Sequence, residues 1–180
     1  MKKQFMILPL ALILCFMVGC QDKAAMAELE EFRAQAEVEE ENKALYRSII
    51  GEMNKGGLEY FNEFYAPDYL SYIPSNNPKA KSLEETKEFM KMVFKAFPDL
   101  NLSIEELFAV EDRVIVRYII RGTHEEEWQG MPPTGNKIQF SSISINTIKN
   151  GKVVEEREDV DFLGLYQQLG MELKPKEEEK

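Results

Sequence analysis

Two side chains in the second half of the sequence could move protons: the carboxyl group of Asp161 and the imidazole of His124, the only histidine. Asp161 lies at the end of a predicted strand, between Val160 and Phe162. Burial beside such apolar neighbours would raise its pKa and make it a better general base near neutral pH. Alternatively, Asp161 forms a structural ion pair or caps the helix that we predict to start near Phe162.

Arg157 lies four positions before Asp161 on the same predicted strand. Side chains alternate along a strand, so the two residues are expected to project to one face. A guanidinium beside the carboxyl group would lower its pKa and keep it ionised. We therefore include Arg157 among the candidate ligand-binding residues.

His124 follows the predicted second strand of a sheet and has the same parity as Val116, Tyr118 and Ile120. These three residues form the more apolar face of that strand. We therefore expect the imidazole to face a cavity, where it could donate to a substrate carbonyl or shuttle a proton. The alternative is a histidine at the rim that bonds to backbone.

Three aromatic residues are further candidates for ligand contacts. Tyr72 and Tyr118 could donate hydrogen bonds to a bound oxyanion, because a phenol carries a donor on an apolar body. Trp128, in a loop before Gly130, could cover the mouth of a cavity. Each of them could equally be a packing residue of the core or of a loop.

Composition excludes several classes of function. A single histidine and the lack of paired cysteines exclude a zinc site built from several imidazoles or thiolates, so we expect no metal site of that kind. The formal net charge of −10 disfavours nucleic-acid binding, because the surface repels phosphate backbones. It also disfavours adhesion to anionic lipids through basic patches.

The first nineteen residues have the pattern of an export signal. Lys2 and Lys3 precede an apolar run from Phe5 to Val18, which is too short to span a bilayer. Met17-Val18-Gly19-Cys20 resembles a bacterial lipobox, so Cys20 is expected to carry a lipid such as palmitate after cleavage. We therefore predict a lipoprotein exported to the cell envelope. An ordinary secretory signal with an incidental cysteine is the alternative.

The rest of the chain divides into three parts. Residues 20–41 are expected to form an acidic helical stalk, residues 42–173 one domain, and residues 174–180 a charged tail. Within the domain the patterns predict helices followed by four strands and a short last helix. The predicted helices are Lys43–Asn54, Leu58–Tyr65, Ser82–Phe97 and Phe162–Leu169. Asp68–Ile73 is predicted to be a short extended segment. The four predicted strands are Leu100–Val110, Arg113–Thr123, Lys137–Lys149 and Lys152–Asp161.

Helices followed by an antiparallel meander indicate an α+β fold, in which a curved antiparallel sheet wraps around the helices and encloses a cone-shaped cavity. Two local signals are strong. Ser82 and Glu85 have the spacing of a capping box, and Asn150-Gly151 is typical of a two-residue hairpin turn.

Three ordered motifs carry a family resemblance. They are Phe97-Pro98-Asp99-Leu100, then Arg121–His124 with Gly130–Gly135, then Asp161 with Leu163–Gly170. Together they resemble the SnoaL-like polyketide cyclase or ester cyclase family, which has the nuclear-transport-factor-2-like cone fold. The resemblance covers about Lys43 to Gly170.

The resemblance implies a cofactor-independent enzyme that closes a ring by intramolecular aldol condensation. It also implies that Asp161 matches the aspartate that removes and returns the proton. This chain departs from the family pattern at Tyr72, where a histidine is common. It departs again at Glu156–Val160, where a tryptophan-containing stretch is usual.

Three functions remain open from the sequence. The protein could be an envelope module that binds a small apolar or carbonyl-containing ligand, or a cyclase or isomerase that uses Asp161 and His124. It could also be a non-catalytic scaffold that forms a homodimer through its sheet. In each case we expect attachment to the membrane through the lipid on Cys20.

Overall fold

The structure is a computed structural model that describes residues 8–172 and Lys174, with side chains described from residue 23 onward. The chain divides into two compact units, Met1–Val38 and Glu39–Lys180. The lysines of the predicted signal lie outside the described residues, as does the side chain of Cys20. No helix within the described part of the chain is long and apolar enough to cross a membrane.

A long helix, α1, runs from Leu8 to Met53. From Lys23 to Val38 its side chains are solvent-exposed, including the apolar Met26, Leu29 and Phe32. The second unit contains the end of α1 and all other elements. Its helices are α2 (Tyr60–Phe64), α3 (Leu83–Ala96) and α4 (Phe162–Gln168). Its strands are β1 (Tyr65–Tyr72), β2 (Lys81–Ser82), β3 (Asn101–Val110), β4 (Arg113–Thr123), β5 (Lys137–Lys149) and β6 (Lys152–Val160).

The six strands form one sheet in the order β2-β1-β6-β5-β4-β3. The meander from β3 to β6 is antiparallel throughout, as the sequence predicts. The pairing of β1 with β6 is parallel, in contrast to the fully antiparallel sheet that we expected. A parallel pair needs a long crossover connection, and the whole segment from α3 to β5 supplies it. The α+β class with a curved sheet packed on helices is confirmed.

Most predicted boundaries agree with the structure, and β4 and β5 match at both ends. Strand β6 ends at Val160, one residue earlier than predicted, because Asp161 leaves the extended conformation with φ −72° and ψ 66°. Helix α2 is shorter than predicted because Tyr65 is already extended and begins β1. The capping box of α3 is present, with Ser82 and Glu85 in the predicted roles.

The inner face of the sheet changes character along β5. Ile138, Phe140 and Ile148 point inward at its two ends, whereas the inward positions between them are Ser142, Ser144 and Asn146, all buried. Small and polar side chains fill less of the interior than large apolar ones. This stretch of β5 therefore leaves both space and hydrogen-bonding groups inside the second unit.

Candidate functional site

A cavity of about 110 Å³ lies in the second unit between the inner face of the sheet and helices α1, α2 and α3. Its wall is mostly apolar, with aromatic and aliphatic side chains in similar number. The aromatic residues that line it are Tyr46, Tyr60, Phe61, Tyr65, Phe89, Phe97, Tyr118, Trp128, Phe140 and Phe162. Such concave, apolar cavities with a few polar groups are typical of small-molecule sites.

Two carboxyl groups stand in this apolar wall, those of Glu156 and Glu158 on β6. Their positions follow from the alternation of side chains along the strand, which directs Glu156, Glu158 and Val160 inward. Arg157 and Asp159 project to the opposite face. Both glutamates are 8% exposed.

Glu158 is held by two hydroxyl groups through the same oxygen. Tyr118 donates a hydrogen bond to its Oε1 atom, and Ser142 donates another of 2.6 Å. Burial raises the pKa of Glu158 above its ordinary value, and the hydrogen bonds from Ser142 and Tyr118 oppose that rise. The proton affinity of this carboxyl group therefore depends on two opposing effects. Burial increases it, and the hydrogen bonds from the two hydroxyl groups decrease it.

Glu156 has a single hydroxyl donor, because Tyr69 donates a 2.6 Å hydrogen bond to its Oε2 atom. Burial, and then the neighbouring charge of Glu158, raise the pKa of Glu156 to about 8. Two buried carboxyl groups on one strand cannot both ionise freely, so they titrate as a pair. Near neutral pH the pair therefore retains a proton.

The polar network continues behind the glutamates. Tyr46 and Ser144 are hydrogen-bonded at 3.2 Å, and Asn146 donates to the same serine oxygen at 2.8 Å. Burial raises the pKa of Tyr46, Tyr118 and Tyr69 well above the usual tyrosine value. All three phenols therefore stay protonated at any physiological pH, and Tyr69 and Tyr118 donate to the two glutamates.

Two buried polar atoms in the cavity wall have no partner among the described residues: the hydroxyl of Tyr60 and Nε1 of Trp128. Trp128 packs its ring against Phe89 and Phe97, each at a centroid distance of 5.8 Å. An unmet donor in an apolar wall is costly unless a ligand or water satisfies it. These atoms are candidate contacts for a bound molecule.

Asp161 lies outside the cavity wall and is exposed. Its Oδ1 atom accepts a 2.8 Å hydrogen bond from the backbone N–H of Gly164, so the residue caps helix α4. This is the structural alternative that the sequence left open. The catalytic assignment of Asp161 stays a prediction, but the carboxyl groups that face the cavity are two others.

His124 is completely buried and also does not line the cavity. Thr134 donates its backbone N–H to Nδ1 of the imidazole at 3.3 Å, and the ring packs on Phe97 at 5.3 Å. The backbone N–H of His124 donates to the carbonyl of Asn136, just before β5, and that of Asp161 donates to the carbonyl of Ser141 in β5. These two carbonyl groups are five residues apart along the chain. Five residues of extended chain span about 17 Å, so the structure does not bring the two side chains together.

The other four predicted ligand contacts separate into two pairs. Tyr118 and Trp128 line the cavity. Tyr72 and Arg157 contact each other elsewhere, with the guanidinium 4.0 Å from the centre of the tyrosine ring. Arg157 also forms a 2.8 Å ion pair with Glu155. The assignment of Tyr72 and Arg157 as ligand contacts stays a prediction, without support from their position.

Sequence reasoning missed Glu156 and Glu158. It noted only that Glu156–Val160 departs from the family pattern and chose Asp161, which has the opposite parity on the strand. The hairpin turn at Asn150-Gly151 alone would pair Asn146 with Glu155. A register shift between Thr147 and Ile148 instead pairs Glu158 with Ser144 and Glu156 with Asn146, and the sequence carries no clear signal for that shift. Polar residues that face each other on the inward parity of two adjacent strands indicate an internal polar site.

Comparisons with known proteins agree with this architecture. The family model of SnoaL-like polyketide cyclases matches residues 43–169. The aklanonic acid methyl ester cyclase DauD of Streptomyces sp. (strain C5) is 29% identical over 129 residues, 70% of this chain and 80% of that protein. The nogalonic acid methyl ester cyclase of Streptomyces nogalater is 25% identical over 125 residues, 68% of this chain and 92% of that protein.

Solved structures show the same fold. AclR from Streptomyces galilaeus superposes with a TM-score of 0.67 at 29% identity, covering 76% of this chain and 97% of AclR. A SnoaL-like polyketide cyclase from Agrobacterium tumefaciens superposes with a TM-score of 0.59 at 18% identity, covering 70% of this chain and 95% of that one. The family model spans most of the chain and all of the cavity-bearing elements from the end of α1 to α4. This chain therefore belongs to the SnoaL-like polyketide cyclase family.

Proposed function

We propose that this protein is a cofactor-independent acid/base enzyme of the cyclase or isomerase type, held at the cell envelope by a lipid on Cys20. Its substrate is a small carbonyl compound bound in the cavity, and its base is Glu158. The family supports the reaction type, since relatives in it carry the names of ester cyclases. The N-terminal sequence pattern supports the anchor.

One observation carries the proposal: the carboxyl group of Glu158 is buried in an apolar cavity and held by Tyr118 and Ser142. A desolvated carboxylate is a stronger base than one in water. Its two hydroxyl donors also fix its orientation. The geometry therefore supplies a base whose direction and strength are both set by the fold.

The chemistry needs two groups with different protonation states. Glu158, ionised, removes a proton from the carbon next to the substrate carbonyl, and an enolate forms. Glu156, which retains its proton near neutral pH, donates a hydrogen bond to the enolate oxygen. The enolate then either takes the proton back from Glu158 at a different carbon, where a neighbouring double bond extends the enolate, or attacks a second carbonyl through its α-carbon. In the second case the new alkoxide takes the proton held by Glu158.

Proton exchange tests this function without knowledge of the natural substrate. Cyclohexanone in D₂O reports removal of the α-proton as loss of its α-proton signal in ¹H NMR. We expect the protein to accelerate exchange over buffer, and Glu158→Gln to lower that acceleration by about 10²- to 10⁴-fold. Glu155→Gln, an outward-facing carboxyl on the same strand, is the matched control and should keep the wild-type rate.

Two results would contradict the proposal. One is an exchange rate for wild-type protein no faster than that of buffer across a panel of small ketones. The other is a Glu158→Gln variant that exchanges as fast as wild type. Circular dichroism of both variants must match wild type, so that a lost rate is not a lost fold.

A non-catalytic interaction module is the second candidate, favoured by one observation. The outer face of the sheet exposes Phe108, Ile143 and Ile145, at 56%, 47% and 41% of their surface. Large exposed side chains on one sheet face are typical of protein contacts. Sedimentation velocity of the chain from residue 21 onward tests this, since a concentration-dependent dimer would support it and a monomer at all concentrations would not.

A further inference from the structure

The ionisable groups that line the cavity in the described part of the chain include acids but no bases. Glu156 and Glu158 contribute carboxyl groups, and no lysine, arginine or histidine of the described chain lines the cavity. We propose that the ligand of this cavity is a compact organic cation: a protonated amine on an apolar body about the size of one six-membered ring. This inference concerns the same cavity as the proposed function and goes beyond it. A bound ammonium group would displace the proton that the proposed reaction needs on Glu156, so the cation is a competitor of the carbonyl substrate and not the substrate itself.

The carboxyl groups have acceptor atoms to spare. The hydrogen bonds described for the pair engage Oε2 of Glu156 and Oε1 of Glu158. Among the described residues no hydrogen bond reaches the other oxygen of either group. The hydroxyl of Tyr60, a residue only 3% exposed, lines the same cavity without a partner and can accept as well as donate. An ammonium group has three donors and can satisfy these three acceptors.

The aromatic wall suits the same ligand. Tyr60, Phe61 and Tyr65 pack as a cluster with ring centroids 4.3 to 6.1 Å apart, and all three line the cavity. The face of an aromatic ring is negative and attracts a cation, most strongly where water is excluded. The carboxyl pair and the rings therefore select the same sign of charge. A carboxylate or phosphate ligand would meet repulsion from both.

The volume limits the body of the ligand. At about 110 Å³, the cavity is close to the ~150 Å³ apolar cavity that holds benzene in another protein. It is well below the ~300 Å³ at which sites for drug-sized ligands begin. A single ring or a short branched chain fits, and a fused polycyclic skeleton does not.

Binding of a cation should be linked to release of a proton. Below a pKa of about 8, Glu156 holds a proton that an ammonium group would replace. The titratable groups that face Glu156 are Glu158 on β6 and the hydroxyls of Tyr46, Tyr60, Tyr65, Tyr69 and Tyr118. Burial keeps these phenols protonated, so the two glutamates alone supply the released proton. Affinity should therefore increase as the pH rises from 6 to 8.

Calorimetry with four probes tests the inference on the full folded domain. Benzylamine, benzyl alcohol and benzoate share one ring and differ in charge, and 1-naphthylmethylamine adds a second ring. We expect the Kd of benzylamine to be at least ten-fold lower than that of benzyl alcohol, and benzoate and the naphthyl amine not to bind. Equal affinity for benzylamine and benzyl alcohol, or tighter binding of benzoate, would overturn the proposal.

A pair of variants tests whether the carboxyl group of Glu156 is the group that binds the ammonium group of benzylamine. Glu156→Gln should raise the Kd of benzylamine at least ten-fold and change that of benzyl alcohol less than three-fold. Glu155→Gln removes an outward carboxyl of the same strand and should change neither. The assay measures binding without turnover, so a failure here leaves the exchange test of Glu158 intact. Conversely, a failed exchange test leaves selective cation binding standing.

Discussion

The hydroxyl of Tyr118 on β4 reaches over strand β5 and donates a hydrogen bond to Oε1 of Glu158 on β6. The same oxygen accepts a second hydrogen bond from Ser142, on the strand between them. Donors to a carboxylate stabilise its ionised form, whereas burial destabilises it. Glu156 has one such donor, so the two glutamates share an apolar cavity but differ in proton affinity. The proposed function rests on this difference, with Glu158 as the base and Glu156 as the acid.

Replacing Tyr118 by Phe removes one donor and keeps the ring. The pKa of Glu158 should then rise further, because burial raises it and one of the opposing hydrogen bonds is lost. A hydrogen bond to a charged group is worth roughly 1.5–3 kcal/mol, so we expect the acidic limb of the pH–rate profile to move up by about 1 to 2 units. The profile of cyclohexanone exchange measures this. An acidic limb at the same pH as in wild type would show that the hydrogen bond from Tyr118 does not affect the pKa of Glu158.

The raised pKa of Glu156 predicts how stability depends on pH. From its ordinary value of 4.5 to about 8, the folded protein binds a proton at Glu156 that the unfolded chain does not. The free energy of unfolding must therefore fall as the pH rises through this range, and level off above pH 8. The loss amounts to at most about 5 kcal/mol. Urea unfolding at pH 5, 7 and 9 measures it.

Glu156→Gln supplies the control for this pH dependence. Glutamine has nearly the same volume and no titrating proton, so the decline in stability with pH should be much shallower in the variant. Glu155→Gln, on the opposite face of β6, should retain the wild-type slope. Parallel pH curves for wild type and Glu156→Gln would show that the carboxyl pair does not carry the effect.

Sequence patterns predicted the antiparallel strands well because each strand carries a local signal. The residues of β4 and β5 are rich in β-branched side chains, and Asn150-Gly151 sets the hairpin that follows β5. The parallel pairing of β1 with β6 left no such signal, since it joins segments more than 80 residues apart. Strand β2 has two residues, too few for any alternation.

The candidate site was harder to predict because strand parity decides it. Asp161 and Glu158 are three residues apart and project to opposite sides of the strand. The sequence-based choice of Asp161, at the end of the strand, therefore selected a carboxyl group that lies outside the cavity. Tyr118 was placed correctly because its apolar neighbours on β4 marked the inner face. For β6 both faces carry acidic residues, and the partner strand β5 is needed to tell them apart.

Asp161 offers a direct comparison between a cap and a base. Asparagine caps helices as well as aspartate does, so Asp161→Asn should keep both the stability and the exchange rate, within about 3-fold. Asp161→Ala removes the acceptor for the N–H of Gly164 and should cost about 1 kcal/mol of stability. Loss of exchange in Asp161→Asn with an unchanged melting temperature would instead support a catalytic role for Asp161.

The anchor makes a prediction that does not depend on the cavity. If Cys20 carries the lipid, Cys20→Ser should abolish incorporation of labelled palmitate and move the protein from the membrane to the soluble fraction of cells that export it. A single acyl chain binds a membrane weakly and reversibly, so stable attachment needs the several chains of a lipoprotein cysteine. Fractionation after high-salt washing measures the difference.

Cys15→Ser is the matched control for the anchor, because it replaces the other cysteine and leaves the cleavage site intact. It should keep both the label and the membrane fraction. The acidic chain offers no basic patch for anionic lipid, so electrostatics cannot replace the lost lipid. Cys20→Ser protein that stays in the membrane fraction after the salt wash would therefore identify the uncleaved apolar segment, Phe5 to Val18, as the anchor.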